Sequence, residues 1–331
     1  MNMKTLRFLI FATLALMMLG CASSQQNEMA VSDPLDQWNE GPVKATILSF
    51  VKTITDEVSP DFVAVPDRVA VFDMDGTTLL EKPYPANFDM IIRLLVQQMT
   101  SDPELTKKQP YKAIHEQDWA YFDTLGIYGE NGLYSILLNA TLGYTEDQYR
   151  DFILEYFKTV TDKRYNKPYD QLTYVPVVQL IQYLQDKQFE VYIVSGSDPQ
   201  FSRTISEKAM HIPVQNVIGT TILTEWVEAD SGSYFVRVHE FVQPINDEGG
   251  KAVNILNKVG KAPVIAVGNS PGDYSMLQYS KNSPFSLQMI INHDDSAREY
   301  VYDYEIMKAM CKDNGWLEVS MKNDFKVVFS D

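Results

Sequence analysis

What this 331-residue sequence has little of narrows its function early. It holds two cysteines, Cys21 and Cys311, too few for a disulfide framework. Positive charge is scarce, with 28 Lys and Arg against 44 Asp and Glu and a formal net charge of -16. A nucleic-acid partner needs a basic surface that displaces counterions from phosphates, so that class is set aside. The apolar run over residues 8–19 falls well short of the roughly 20 residues that span a bilayer. Histidine is sparse: His115, His211, His239 and His293 sit in no recognisable motif, and no serine lies in a G-x-S-x-G elbow, which argues against a Ser-His-Asp hydrolase. Internal repeats and low-complexity tracts are missing as well. What remains, 45% hydrophobic and 22% charged, is ordinary usage for a globular chain with a sizeable core.

The acidic balance sets a condition. A small anionic ligand would need a buried lysine, backbone N–H groups and a metal cation to offset the surrounding charge.

Lys4 and Arg7 precede the apolar run, which closes on Met18-Leu19-Gly20-Cys21. This reads as a secretory signal over residues 1–20 and resembles the lipobox of bacterial lipoproteins. The resemblance implies acylation of Cys21 and, with Ala22 rather than Asp next, a periplasm-facing place on the outer membrane. An ordinary signal peptide or an uncleaved anchor is the alternative. A lipidated Cys21 leaves Cys311 without a disulfide partner. Residues 21–38, polar and turn-rich, suit a tether.

Beyond the tether, apolar runs at 68–72, 190–194, 263–267 and 284–291 predict buried parallel strands. The first three end in small and acidic residues, where the ligand crevice of an open α/β sheet lies. Helical spacing over 177–186, 250–259 and 304–314 alternates with the strands and predicts an α/β fold, a doubly wound parallel sheet. Residues 82–174 carry helical patterns at 87–100, 132–138 and 145–160 and no convincing strand. They are read as a helical cap inserted into a core formed by residues 39–81 and 175–331. Of the cap aromatics Trp119, Tyr121, Phe122, Tyr128 and Tyr134, most should be core.

Four clusters carry chemistry. In Asp73-Met74-Asp75-Gly76-Thr77 two acids two residues apart follow a strand, and a turn at glycine lets both face the crevice. Asp73 then suits a nucleophile that forms an aspartyl-phosphate, and Asp75 a proton carrier. A calcium loop fits poorly, since its glycine stands sixth rather than fourth. Ser195-Gly196 offers a hydroxyl and nearby N–H groups to phosphate oxygens, although alone it also reads as a structural turn. Lys251 opens a helix, where the macrodipole disfavours it unless an anion compensates; as an isolated lysine it also reads as surface decoration. Asn269 and Asp273, in Gly268-Asn269-Ser270-Pro271-Gly272-Asp273, offer hard oxygen ligands for Mg²⁺ beside Asp73, or form a plain Asx-rich turn.

In this order the four clusters resemble the motifs of the haloacid-dehalogenase superfamily over residues 62–331, closest to its phosphoserine-phosphatase-like members. Glu81-Lys82-Pro83 and residues 321–326 resemble an exported bacterial branch. The resemblance implies a phosphatase that uses Mg²⁺, with Asp73 as nucleophile, Asp75 as acid, base and carbonyl ligand, and Asp73, Asp75, Asn269 and Asp273 around the metal. Ser195, Gly196, Thr77 and Lys251 then bind the substrate phosphate. Many members carry Asp where this chain has Asn269, which removes a charge from the metal site. A small phosphoserine-like monoester is the expected substrate, with phosphorylcholine the other candidate if Trp119, Glu116 and Asp118 hold a quaternary ammonium. The competing readings are a catalytically idle binding lipoprotein and a metal-independent dehalogenase. Asp75 argues against the dehalogenase, because a halide leaves without a proton. No protein partner is evident, and the lipid is the expected membrane contact.

Overall fold

The computed structural model describes residues 33–330 apart from Ile127, Glu130 and Asn131. The signal segment, Cys21 and most of the tether lie outside the described residues.

Six parallel strands form one sheet: β1 (Val69–Phe72), β2 (Glu190–Val194), β3 (Val217–Ile218), β6 (Ile265–Gly268), β7 (Leu287–Asn292) and β8 (Leu317–Ser320), in the order β3-β2-β1-β6-β7-β8. A separate antiparallel hairpin joins β4 (Ile222–Ala229) to β5 (Gly232–Phe241). The helices are α1 (Pro42–Thr55), α2 (Ala86–Ser101), α3 (Tyr111–Glu116), α4 (Ala120–Asp123), α5 (Leu133–Thr141), α6 (Glu146–Thr159), α7 (Val175–Asp186), α8 (Pro199–Met210), α9 (Gly249–Val259), α10 (Tyr274–Ser280), α11 (Glu305–Asn314) and α12 (Met321–Asp324).

Successive strand residues point to opposite faces, and both faces are covered. Ala70, Phe72, Ile193 and Val267 join a core with α1 and α7, whereas Val69, Val71, Val194 and Ala266 pack with Ile255 of α9, Met276 of α10 and Met307 of α11. The predicted doubly wound sheet is what forms. Four predicted strands correspond to β1, β2, β6 and β7. The sequence reading lacks β3, β8 and the hairpin, and it lacks α1, α3, α4, α8 and α12.

Between β1 and β2 the described residues form helices α2 to α7 and no ladder strand. Thr145 opens α6 with a capping box, accepting from Gln148 N at 3.1 Å while the Gln148 side chain accepts from Thr145 N at 2.9 Å. The hairpin leans on this helical layer: Gly143 N donates to Arg237 O, and Thr145 bridges to Val236. Arg237, 2% exposed, pairs with Glu146 at 3.0 Å and with Asp198.

Candidate active site

The carboxyl ends of β1, β2 and β6, with the first turn of α9, deliver the chemical groups to one place. Asp73 follows β1 directly, its N–H donating to Val267 O of β6 at 2.9 Å. Lys251 lies in the first turn of α9 and is buried, its Nζ 2.7 Å from Asp73 Oδ1 and 2.6 Å from Asp273 Oδ1. The anion that the macrodipole calls for is therefore a pair of carboxylates. Gly250 permits this approach, because a Cβ there would stand 1.8 Å from Ile245 O.

Asp75 turns into the same cavity. Its Oδ2 accepts from Ser197 Oγ at 3.0 Å, while its Oδ1 is buried with no partner among the described residues. Burial, then the charge of Glu81, pushes the Asp75 carboxyl up to about 7. Burial and the Asp273 charge push Asp73 up as well, against the opposing pull of Lys251. Two carboxylates thus share one lysine in a dry site, which leaves an excess of negative charge.

Ser195 lines the cavity, its Oγ accepting from Ser197 N at 3.1 Å and its carbonyl from Asn246 Nδ2 at 2.7 Å. Gly196 lines it too, its carbonyl accepting from Tyr134 Oη at 3.3 Å. Thr77 corrects the sequence reading. It is fully buried and does not line the cavity; its hydroxyl lies 3.1 Å from Asn269 Oδ1 and 3.5 Å from Asp73 Oδ2, beneath the site rather than in contact with a substrate. Asp273 is also more occupied than expected. Oδ1 meets Lys251, and Oδ2 accepts from Asn269 N at 2.9 Å and Ser270 N at 3.0 Å, so its carboxylate is consumed in holding the loop and the lysine.

Asn269 Oδ1 lies 3.2 Å from the Asp75 carbonyl oxygen and 3.3 Å from Asp73 Oδ2, three acceptors with no hydrogen between them. Oxygens repel at that range unless a cation joins them or the amide turns. The edges of an octahedral Mg²⁺ shell are about 3 Å long, so this donor set fits the ion. Among the described residues no three His, Cys, Asp or Glu side chains form a metal cluster. A cation here would therefore rest on carboxylate, carbonyl and amide oxygens together.

Several contributors escaped the sequence reading. Glu81 lines the cavity, its Oε2 3.3 Å from Asn269 Nδ2. His293, buried against the Tyr302 ring, reaches the Gly76 carbonyl at 2.7 Å through Nε2 and Glu299 at 2.9 Å through Nδ1, supporting the Asp75-Gly76 turn from below. In the sequence Glu81 stood out only within Glu81-Lys82-Pro83, and His293 sat in no motif.

The cavity has a volume of about 320 Å³. Opposite the carboxylates its wall is Phe88, Ile91, Leu133 and Leu137, with Asn87 and Tyr134 as polar points and Asp247 among the lining residues. Trp119 instead borders a second cavity, which shares only Phe88 with the first, and Glu116 and Asp118 are exposed. That trio does not meet a molecule bound beside Asp73.

The family model for haloacid dehalogenase-like hydrolases matches residues 70–278, a stretch that contains all four clusters. The chain belongs to this family. Among solved structures, this hydrolase is similar to a protein of unknown function from Anaerococcus prevotii, with a TM-score of 0.54 and 16% identity over 87% of this chain and 94% of that one. A protein of unknown function from Bordetella pertussis gives 0.50 and 15% over 76% and 97%. A phosphoserine phosphohydrolase-like protein from Francisella tularensis gives 0.37 and 17% over 68% and 87%. No curated protein matches the sequence.

Proposed function

We propose that this hydrolase is a magnesium-dependent phosphomonoesterase that passes the phosphoryl group of a small monoester first to Asp73 and then to water. One observation carries the reading: Asp73, held by Lys251 at 2.7 Å, and Asp75, one oxygen of which has no partner among the described residues, line the same cavity. A nucleophile and a proton carrier thus share one space.

In the first displacement an Asp73 oxygen bonds to phosphorus, the ester P–O bond breaks, and Asp75 gives its proton to the leaving alkoxide. In the second, Asp75 takes a proton from the water that attacks the aspartyl-phosphate, releasing phosphate and restoring the Asp73 carboxylate. An acid poised near 7 suits both halves. Ser195 and Lys251 bind the phosphoryl oxygens, and Lys251 offsets their charge. Asp73, the Asp75 carbonyl and Asn269 would hold Mg²⁺, which when bound supplies the positive charge that the acidic site lacks.

The cavity wall favours a leaving group without a second anion. Among the described residues Lys251 is the one basic residue in the lining, and Asp247 and Glu81 would oppose the carboxylate of phosphoserine. An alcohol small enough for the Phe88, Ile91 and Leu137 wall is the better fit.

Phosphate release from p-nitrophenyl phosphate by the purified protein, with and without Mg²⁺ and beside Asp73→Asn, tests the reading. Release that depends on Mg²⁺ and on Asp73 is expected. Binding of phosphate esters without turnover would replace the enzyme by an idle binding protein, and turnover indifferent to Mg²⁺ would refute the metal dependence. For location, the reading is lipidation of Cys21 and retention at the outer membrane. Incorporation of labelled palmitate that is lost in Cys21→Ser is expected, and a protein that takes up no label would refute it.

A further inference from the structure

Asparagine at position 269 creates a difficulty that aspartate would not. A carboxylate offers a cation two equivalent oxygens, whereas an amide offers an oxygen from one end and N–H groups from the other. In one orientation Asn269 Oδ1 faces Asp73 Oδ2 and the Asp75 carbonyl. Turned by half a rotation, Nδ2 would donate to Asp73 Oδ2 at 3.3 Å, to the Asp75 carbonyl at 3.2 Å and to Thr77 Oγ1 at 3.1 Å. The turned amide satisfies its neighbours and fills the cation's place with N–H groups. Thr77 accommodates either orientation, since a hydroxyl both donates and accepts.

Glu81 does not accommodate both. Its Oε2 lies 3.3 Å from Asn269 Nδ2, and an ionised carboxylate only accepts. A turned amide would set its own oxygen against that carboxylate. The pair is wedged over Gly76, where a Cβ would stand 2.0 Å from Asn269 Nδ2 and 2.8 Å from Glu81 Oε2. Gly76, at φ +80°, keeps the space open and makes the turn. Gly76 N donates to Leu79 O across that turn, bringing Glu81 back over the loop that carries Asp75.

We propose that Glu81 is a positioning residue that holds the Asn269 amide with its oxygen toward Asp73 and the Asp75 carbonyl, and so keeps a cation site in a chain that has asparagine there. This rests on the metal-dependent reading of the site. Groups that orient metal ligands typically govern affinity by about 10- to 100-fold.

The test is binding of Mn²⁺ alone, read by electron paramagnetic resonance without substrate, on the full protein. Glu81→Ala should weaken Mn²⁺ by about tenfold or more. Glu81→Gln, whose amide can meet Asn269 in either orientation, should weaken Mn²⁺ as well, and because it keeps the shape of the side chain it covers the case in which the alanine variant folds poorly. In the Asn269→Asp background Glu81→Ala should cost less than about threefold, because aspartate has no wrong orientation. An equal loss in both backgrounds would mean that Glu81 contributes charge and not orientation, and would overturn the proposal. So would parent-like Mn²⁺ binding by Glu81→Ala. Because no substrate is present, Mn²⁺ binding of the predicted pattern without phosphate release would refute the phosphatase reading alone, whereas Asp73-dependent turnover with Mn²⁺ affinity indifferent to Glu81 would refute this one alone.

Discussion

Two buried cations in this molecule each sit between two carboxylates, and their surroundings separate a functional cluster from a structural one. Lys251 lies between Asp73 and Asp273, and Arg237 lies between Glu146 and Asp198 with its guanidinium 4.1 Å above the Tyr149 ring. Arg237 ties three elements together: β5, the first turn of α6, and the cap of α8, where Asp198 also accepts from Gln200 N at 2.7 Å. Both clusters border a cavity, but the one beside Lys251 is also lined by Asp75, an acid with one oxygen unpartnered among the described residues, whereas beside Arg237 the unpartnered atom is the Nε of the arginine itself. A buried ion pair by itself indicates neither stability nor chemistry. An unpaired acid beside it, in reach of a ligand, marks the chemical one.

Breaking each cluster should give opposite signatures. Asp73→Asn is expected to lower kcat/KM for a phosphate monoester by at least about 10³-fold. Its denaturation midpoint should hold or rise, because one of two carboxylates crowding a single lysine loses its charge. Arg237→Met should do the reverse, costing about 3–5 kcal/mol in urea unfolding by stranding Asp198 and Glu146, while kcat of the folded fraction stays near that of the parent. A stability loss in Asp73→Asn as large as in Arg237→Met would erase the distinction.

The same contrast shows what the sequence could disclose. Asp73, Asp75, Ser195, Lys251 and Asn269 were legible because each follows a strand or opens a helix, so local pattern places it at the carboxyl edge of the sheet. β1, with all four residues buried, reads as a continuous apolar run. The hairpin does not, because most residues of β4 and β5 are exposed or half-exposed and alternate irregularly. β3 has only two residues, and β8 buries one of its four, so neither makes an apolar run. Glu81, Asn246, His293 and Arg237 belong to the site or its frame only through tertiary turns. Thr77 shows that a motif gives spacing and not direction: its buried hydroxyl meets Asn269 and Asp73.

Asp75 offers a sharper, smaller probe of the functional cluster. Burial and the Glu81 charge raise its carboxyl to about 7, so the proton-donating form prevails below that pH and is lost above it. For an alkyl phosphate, whose leaving group needs that proton, kcat/KM should fall on the alkaline side with a midpoint near 7. Asp75→Asn should remove this limb and slow the alkyl phosphate by about 10²- to 10⁴-fold. With p-nitrophenyl phosphate, whose phenolate leaves readily, the loss should be smaller. Equal losses for the two esters would assign Asp75 to the frame rather than to proton transfer.

The smallest expected effect concerns the wall facing both acids. Asn87, in the first turn of α2, is 8% exposed, lines the cavity and leaves its side-chain oxygen without a partner among the described residues. A buried amide oxygen with no hydrogen-bond donor is costly unless a ligand supplies one. Phosphoserine meets that oxygen with its ammonium as glycerol phosphate does with a hydroxyl, so the carboxylate decides: with Asp247 and Glu81 opposing it, glycerol phosphate should outrun phosphoserine in kcat/KM by about tenfold, or ~1.4 kcal/mol. Asn87→Lys should narrow or reverse that order, since the new ammonium gives the phosphoserine carboxylate the cation that Asp247 and Glu81 deny it. If the order is the same with lysine at 87, the leaving group does not reach the first turn of α2, and selectivity lies nearer Tyr134 and the Ser195 loop.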